Sequence, residues 1–164
     1  MIANYLILKE KCVGMYKKVI FGTDGSDNAN RVAEKIIEFQ QKWNCKVVVF
    51  HSIKHKMIPE TLIIPHLKLS KDIYDSVKTF AEQSGDYILK KTKEILDPIK
   101  NYIEFRLITD EAPEDYIKRI AKAEGIDLVF LGCKGGHSKL EEKFVGTVCM
   151  KLLREPPCDV LIVC

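Results

Sequence analysis

The stretch Ile126 to Thr147, IDLVFLGCKGGHSKLEEKFVGT, decides how this chain is read. It opens with the apolar run Leu128-Val129-Phe130-Leu131. Four such residues in succession after a helical pattern read as a strand buried on both faces, the habit of parallel sheets. Gly132, Gly135 and Gly136 follow. Glycines let the backbone turn tightly and aim its N–H groups into a concave, anion-binding loop. Gly146 and Thr147 then open a second helical pattern. Thr147 is the expected N-cap, and a helix start carries partial positive charge. Strand, glycine loop and helix start together describe a phosphate site. The plainer alternative is that the glycines only make turns.

Outward from this stretch the chain alternates. Val19-Ile20-Phe21 is the first strand, ending in the polar turn Gly22-Thr23-Asp24-Gly25-Ser26. Ser26, Asp27 or Asn28 caps a helix whose apolar positions Val32, Ala33, Ile36, Ile37 and Phe39 mostly recur at helical spacing, and Asn44 closes it. Lys46 to His51 is the second strand. Ser52 to Ser70 holds Pro59 and Pro65 without a clean period, which predicts a long, mobile connection over a site. Lys71 to Leu96 reads as a long amphipathic helix with Ile73, Val77, Phe80, Ile88, Leu89, Ile95 and Leu96 as core contacts, weakened at Gly85 and ended by Asp97-Pro98. Tyr102 to Ile108 is the third strand. Pro113 opens a helix that Gly125 stops, with Ile117, Ile120 and Ala121 facing inward. Past the central stretch, Glu155-Pro156-Pro157 breaks the chain and Cys158 to Cys164 is the last strand.

This alternation predicts α/β architecture: a five-stranded, parallel, open sheet with helices on both faces and strand order 3-2-1-4-5. Ligands in such sheets bind beyond the carboxyl ends of the strands, at the switch point. Gly22–Ser26 and Gly132–Thr147 are therefore expected to face one crevice.

Length and composition narrow the function classes. A chain of 164 residues fits one domain, on a prior of roughly 100–200 residues each. Residues 1–14 are taken as an N-terminal extension and 15–164 as the domain. The net charge of +3 comes from lysines spread along the chain, which gives no nucleic-acid footprint. No apolar run approaches the ~18 residues of a membrane span, and residues 1–14 do not read as a signal peptide. The six cysteines include no C-x-x-C pair, so reduced thiols and a cytoplasmic location are expected. Cys133, within the loop, reads as an inert thiol, with a reactive one as the alternative.

With Thr23-Asp24, the glycine loop and Gly146-Thr147 in hand, the chain resembles the universal stress protein family from about Tyr16 to Cys164. Gly132-Cys133-Lys134-Gly135 matches the first half of the signature of its ATP-binding members. Ten residues, Gly136 to Val145, separate Gly135 from Gly146, one more than that signature has. A second departure is Glu111, where such relatives carry glycine. The resemblance implies a Rossmann-like fold of the adenine nucleotide alpha hydrolase type and a bound ATP, AMP or ADP, with Mg²⁺ as its companion ion. It implies roles for the Gly22-Thr23-Asp24 turn, with Asp24 near the adenine, and for the backbone near Ser52 against the base. Gly132, Gly135 and Gly136 would line ribose and phosphates, and Gly146 and Thr147 would hold the terminal phosphates, with Val148 and His137 counted in the nucleotide site; Lys134, His137 and Lys139 otherwise read as solvated loop charges, with steering of phosphate as the alternative. It also implies a homodimer through the last strand, whose apolar edge is expected to lie uncovered. The extra loop residue implies micromolar rather than nanomolar affinity.

Other chemistries fit less well. G-x-x-x-x-G-K-[ST] is absent, and FGTDGS does not supply G-x-G-x-x-G after the first strand. Asp24 lacks the acidic neighbour of a phosphoacceptor site. His51, His55 and His66 form no convincing zinc set, and no metal ligand is assigned. Ser26 has no evident base beside it, so a cap is the better reading than a nucleophile. No catalytic residue is assigned: loop amides serve ground and transition states alike, and uniform binding does not accelerate hydrolysis. The expected protein is a stress-response regulator that turns nucleotide over slowly or not at all. A dimeric interaction module that binds no nucleotide is the alternative.

Overall fold

The computed structural model describes residues 5–7, 16–53, 71–133 and 146–164, with the backbone alone for 5–7 and 71–74. Strands β1 (Tyr5–Ile7), β2 (Lys18–Gly22), β3 (Lys46–Ile53), β4 (Ile103–Thr109), β5 (Leu128–Gly132) and β6 (Asp159–Val163) form one sheet in the order β1-β6-β5-β2-β3-β4. From β4 to β6 the strands are parallel. Counted from Lys18 this is the expected 3-2-1-4-5.

Every second residue of the central strands faces one of two cores. Val19, Phe21, Val47, Val49 and Phe130 pack under α1 (Asp27–Trp43) and α2 (Lys71–Ile95). Ile20, Val48, Phe50, Val129 and Leu131 pack under α3 (Pro113–Glu124) and α4 (Thr147–Arg154). Burial on both faces is why these strands read as unbroken apolar runs. The helix boundaries follow local chemistry: Ser26 caps α1 by accepting from Ala29 N–H, Asn44 ends it in the left-handed region at φ 49°, and Pro113 opens α3.

Three expectations are corrected. The first concerns the sheet edge. β6 is not uncovered, because β1 pairs with it antiparallel, Tyr5 opposite Ile162 and Ile7 opposite Val160. The second concerns α2. Val77 and Phe80 are 43% and 71% exposed, whereas Leu89 and Leu96 are buried. The helical period of α2 runs past the part of the helix that covers the sheet. The third is Gly85, which marks a close approach rather than a weak point. A Cβ there would lie 2.7 Å from Leu107 Cδ1 and 2.9 Å from Ile53 Cδ1. A larger residue there would have to push the ends of the Leu107 and Ile53 side chains aside for α2 to seat on β3 and β4. The connection 54–70, with His55 and His66, lies outside the described residues.

Candidate functional site

The sheet reverses direction between β2 and β5. From β2 the chain builds outward through β3 to β4, and from β5 through β6. Register pairs Phe21 with Phe130, so the carboxyl ends of both strands emerge side by side. A Cβ on Gly132 would lie 3.3 Å from Asn28 Cβ, so the first turn of α1 rests directly on the end of β5. The turn after β2 and the loop stem after β5 thus lie side by side at the carboxyl end of the sheet.

The turn after Gly22 is tied into the fold. Thr23 is 4% exposed, and its N–H donates to the Phe50 carbonyl at 2.9 Å. Thr92 spends its hydroxyl hydrogen on the Ile88 carbonyl (3.0 Å), so across the 3.2 Å contact Thr23 Oγ1 donates to Thr92 Oγ1. Thr23 Oγ1 also accepts from Gly25 N–H at 3.2 Å. His51 Nδ1 donates to the Thr23 carbonyl at 2.7 Å. Thr23 is therefore internal, while Asp24 is exposed at the rim and accepts from Ser26 N–H at 3.0 Å.

Ser52 lies within β3, not after it, because the strand continues to Ile53 alongside β4. Its hydroxyl donates to the Glu111 carbonyl. The Glu111 carboxylate takes two hydrogen bonds from Arg119, at 2.9 and 2.7 Å. That guanidinium holds the Glu111 carboxyl below its usual range. The carboxylate of Glu111, the second departure from the family pattern, is thus engaged by α3.

The neck of the glycine loop is closed by Gly146 N–H donating to the Cys133 carbonyl at 2.8 Å. Gly146, with φ −59° and ψ 155°, occupies the N-cap position, and its carbonyl accepts from Met150 N–H at 3.0 Å. Thr147 is corrected accordingly: it is the first residue of α4, exposed, and does not cap it. Gly146 brings no side chain to cap α4, and a helix start offers N–H donors and partial positive charge to an anion. Val148 is half-buried beside it. Gly135, Gly136 and His137 lie outside the described residues.

Sequence reasoning missed Arg119, eight residues from Glu111, and the link from His51 to Thr23, 28 residues away, because neither pair follows a motif or a helical spacing that would announce it. Among the described residues no group of three or more His, Cys, Asp or Glu could hold a metal. A second depression, lined by Glu114, Asp115, Lys118, Lys151, Arg154 and Glu155, is crossed by its own Lys151–Glu114 and Lys118–Glu155 ion pairs. No helix of the described residues is long and apolar enough to cross a membrane.

Comparison with known proteins agrees with the geometry. Universal stress protein MJ0577 of Methanocaldococcus jannaschii is 26% identical over 155 residues, spanning 91% of this chain and 95% of that protein. Its fold superposes with a TM-score of 0.75 at 21% identity, over 92% of this chain and 96% of that one. A universal stress protein in complex with cAMP gives a TM-score of 0.62 at 22% identity, over 92% and 98%. The universal stress protein of Archaeoglobus fulgidus in complex with dAMP gives 0.62 at 18%, over 92% and 100%. The sequence pattern of the universal stress protein family itself matches residues 15–163. With the sheet order in place and that pattern matched over nearly the whole chain, the chain belongs to the universal stress protein family.

Proposed function

We propose that the chain binds an adenine nucleotide in this crevice and serves as a cytoplasmic stress-response regulator rather than an efficient enzyme. The observation that carries the reading is the junction of β2, β5 and α4: the turn bearing the exposed Asp24 follows β2, and the start of α4 is bonded through Gly146 N–H to the residue that follows β5, the strand paired with β2. The related structures with cAMP and dAMP support adenine as the base. In this reading the backbone of Gly22, Thr23 and Ser52 walls the base side, with Asp24 at its rim. Gly132, Gly135, Gly136 and His137 lie along ribose and phosphates, and Gly146, Thr147 and Val148 hold the terminal phosphates. Thr23 acts through its main chain, its side chain being turned inward. Residues 15–164 are the domain, and 1–14 an extension that lends it one strand. Self-pairing through β6 would require β1 to leave.

Calorimetry with ATP, ADP and AMP, each with and without Mg²⁺, tests the reading. Micromolar affinity is expected, on the order of −8 kcal/mol. No heat from any nucleotide would leave the interaction module in its place, and brisk phosphate release would make the chain an ATPase.

A further inference from the structure

Three cysteines converge at the neck of the loop, and nucleotide binding uses none of them. Register pairs Gly132 with Val163 across β5 and β6, and Cys133 N–H donates to the Val163 carbonyl at 3.0 Å. One further step of the same register sets Cys133 opposite Cys164. Both side chains pack against the core on the α3–α4 side, as expected two residues past Leu131 and Ile162. Cys149 of α4 packs in the same cluster, and its thiol donates to the Gly132 carbonyl at 3.1 Å. Neighbouring strands lie about 4.8 Å apart, inside the roughly 4.4–6.8 Å Cα separation of bridged cysteines.

The three thiols differ in access. Cys133 and Cys164 are half-buried, whereas Cys149 is 2% exposed. Burial, and then the adjacent Cys133 and Cys164, push the Cys149 thiol up to about 12. The thiolate is the attacking form, so Cys149 is a poor participant. We infer that Cys133 and Cys164 form a reversible dithiol–disulfide pair while Cys149 stays a thiol. The oxidant is a small disulfide of the glutathione class. One protein thiolate attacks a sulfur of that disulfide, forming a mixed disulfide and expelling one small thiolate. The second protein thiolate attacks the protein sulfur of the mixed disulfide and expels the other. Two protein thiols give up two electrons and two protons, and one small disulfide becomes two small thiols. The new bond ties the stem of the loop, whose Cys133 carbonyl holds Gly146, to the end of β6. The inference stands whether or not the crevice binds nucleotide.

The test is peptide mass mapping of the native protein after incubation with oxidised glutathione, denaturation and alkylation of the remaining thiols. The expected product has lost two hydrogens, carries one bridge between Cys133 and Cys164, and is alkylated at Cys149. Cys133→Ser and Cys164→Ser should each trap the other cysteine as a mixed disulfide, heavier by one glutathionyl group. Cys149→Ser should leave the bridge intact. A bridge that includes Cys149 overturns the inference. So does parent protein in which Cys133 and Cys164 both remain alkylatable or both stop at the mixed disulfide.

Discussion

The turn from Gly22 to Ser26 spends polar groups on the fold, whereas α4 begins at Gly146, a residue with no side chain to cap it. In the first region a threonine hydroxyl is both donor and acceptor inside the core, and a histidine holds the carbonyl of the same residue. In the second a backbone bond between the described residues Gly146 and Cys133 closes the neck. A motif reading weights both regions alike, as polar residues beside glycine. Hydrogen bonding separates them: the side chain of Thr23 is committed to the fold, and the first residue of the other region's helix start, Gly146, has none to commit.

The largest effect that would break this comparison comes from Thr23→Val. It leaves the Gly25 N–H without its acceptor and takes the donor from Thr92. A buried polar group left unsatisfied costs about 1–3 kcal/mol. Urea denaturation should show that loss at unchanged m, with nucleotide affinity of the folded protein kept. The reverse pattern, affinity lost and stability kept, would exchange the roles of the two turns. Thr147→Pro probes the other side. Gly146 already has the extended backbone that precedes proline, and proline suits the first helical position. The helix should survive and one N–H at its start disappear, weakening nucleotide binding about tenfold, or ~1.4 kcal/mol. Unchanged affinity by calorimetry would remove α4 from the site.

The smallest effect is an acid titration remote from the crevice. At the amino end of β2, Glu124 bonds Arg106 at 2.7 Å and Lys18 at 2.5 Å. Arg106, with Lys18 second, holds the Glu124 carboxyl down to about 2 from its usual 4.5. A depressed carboxylate stabilises the fold above its unfolded value and loses that contribution as pH falls through the folded value. Stability should therefore decline between pH 4.5 and 2 by no more than ~1 kcal/mol for this partly exposed network. Glu124→Gln should flatten that part of the profile in a urea series, and an unchanged profile would deny the network any role.

What the chain disclosed in advance was local. Ser26, Asn44, Pro113 and Gly125 mark helix ends because caps, αL residues and proline act within one turn. The parallel sheet was legible because strands buried on two faces must be apolar throughout. Residues 5–7 gave no signal: a three-residue edge strand has no period to read, and its existence depends on register with β6, over 150 residues away. The α2 stripe was over-read, since a helical period does not say where the sheet beneath it stops. Thr147 was taken for the cap because threonine is a favoured residue there, whereas the backbone put Gly146 in that position. In the candidate site, Asp24 at the rim was legible from its strand end. The engagement of Glu111 by Arg119 was not, because the pair joins a loop to the middle of α3.

The short strand on β6 changes what self-association means for this chain. Ile7 and Lys18 sit three strand spacings apart, ~14 Å. A segment tethered so closely meets its edge at an effective concentration on the order of millimolar. A second molecule at micromolar concentration competes for that edge at a disadvantage of about a thousandfold. Pairing of two chains through β6 would therefore be an exchange with β1 instead of a simple association. Deleting residues 1–14 should convert it back, seen by light scattering as a mass that rises with concentration in the shortened chain more steeply than in the parent. Equal curves for the two would mean that β1 guards nothing.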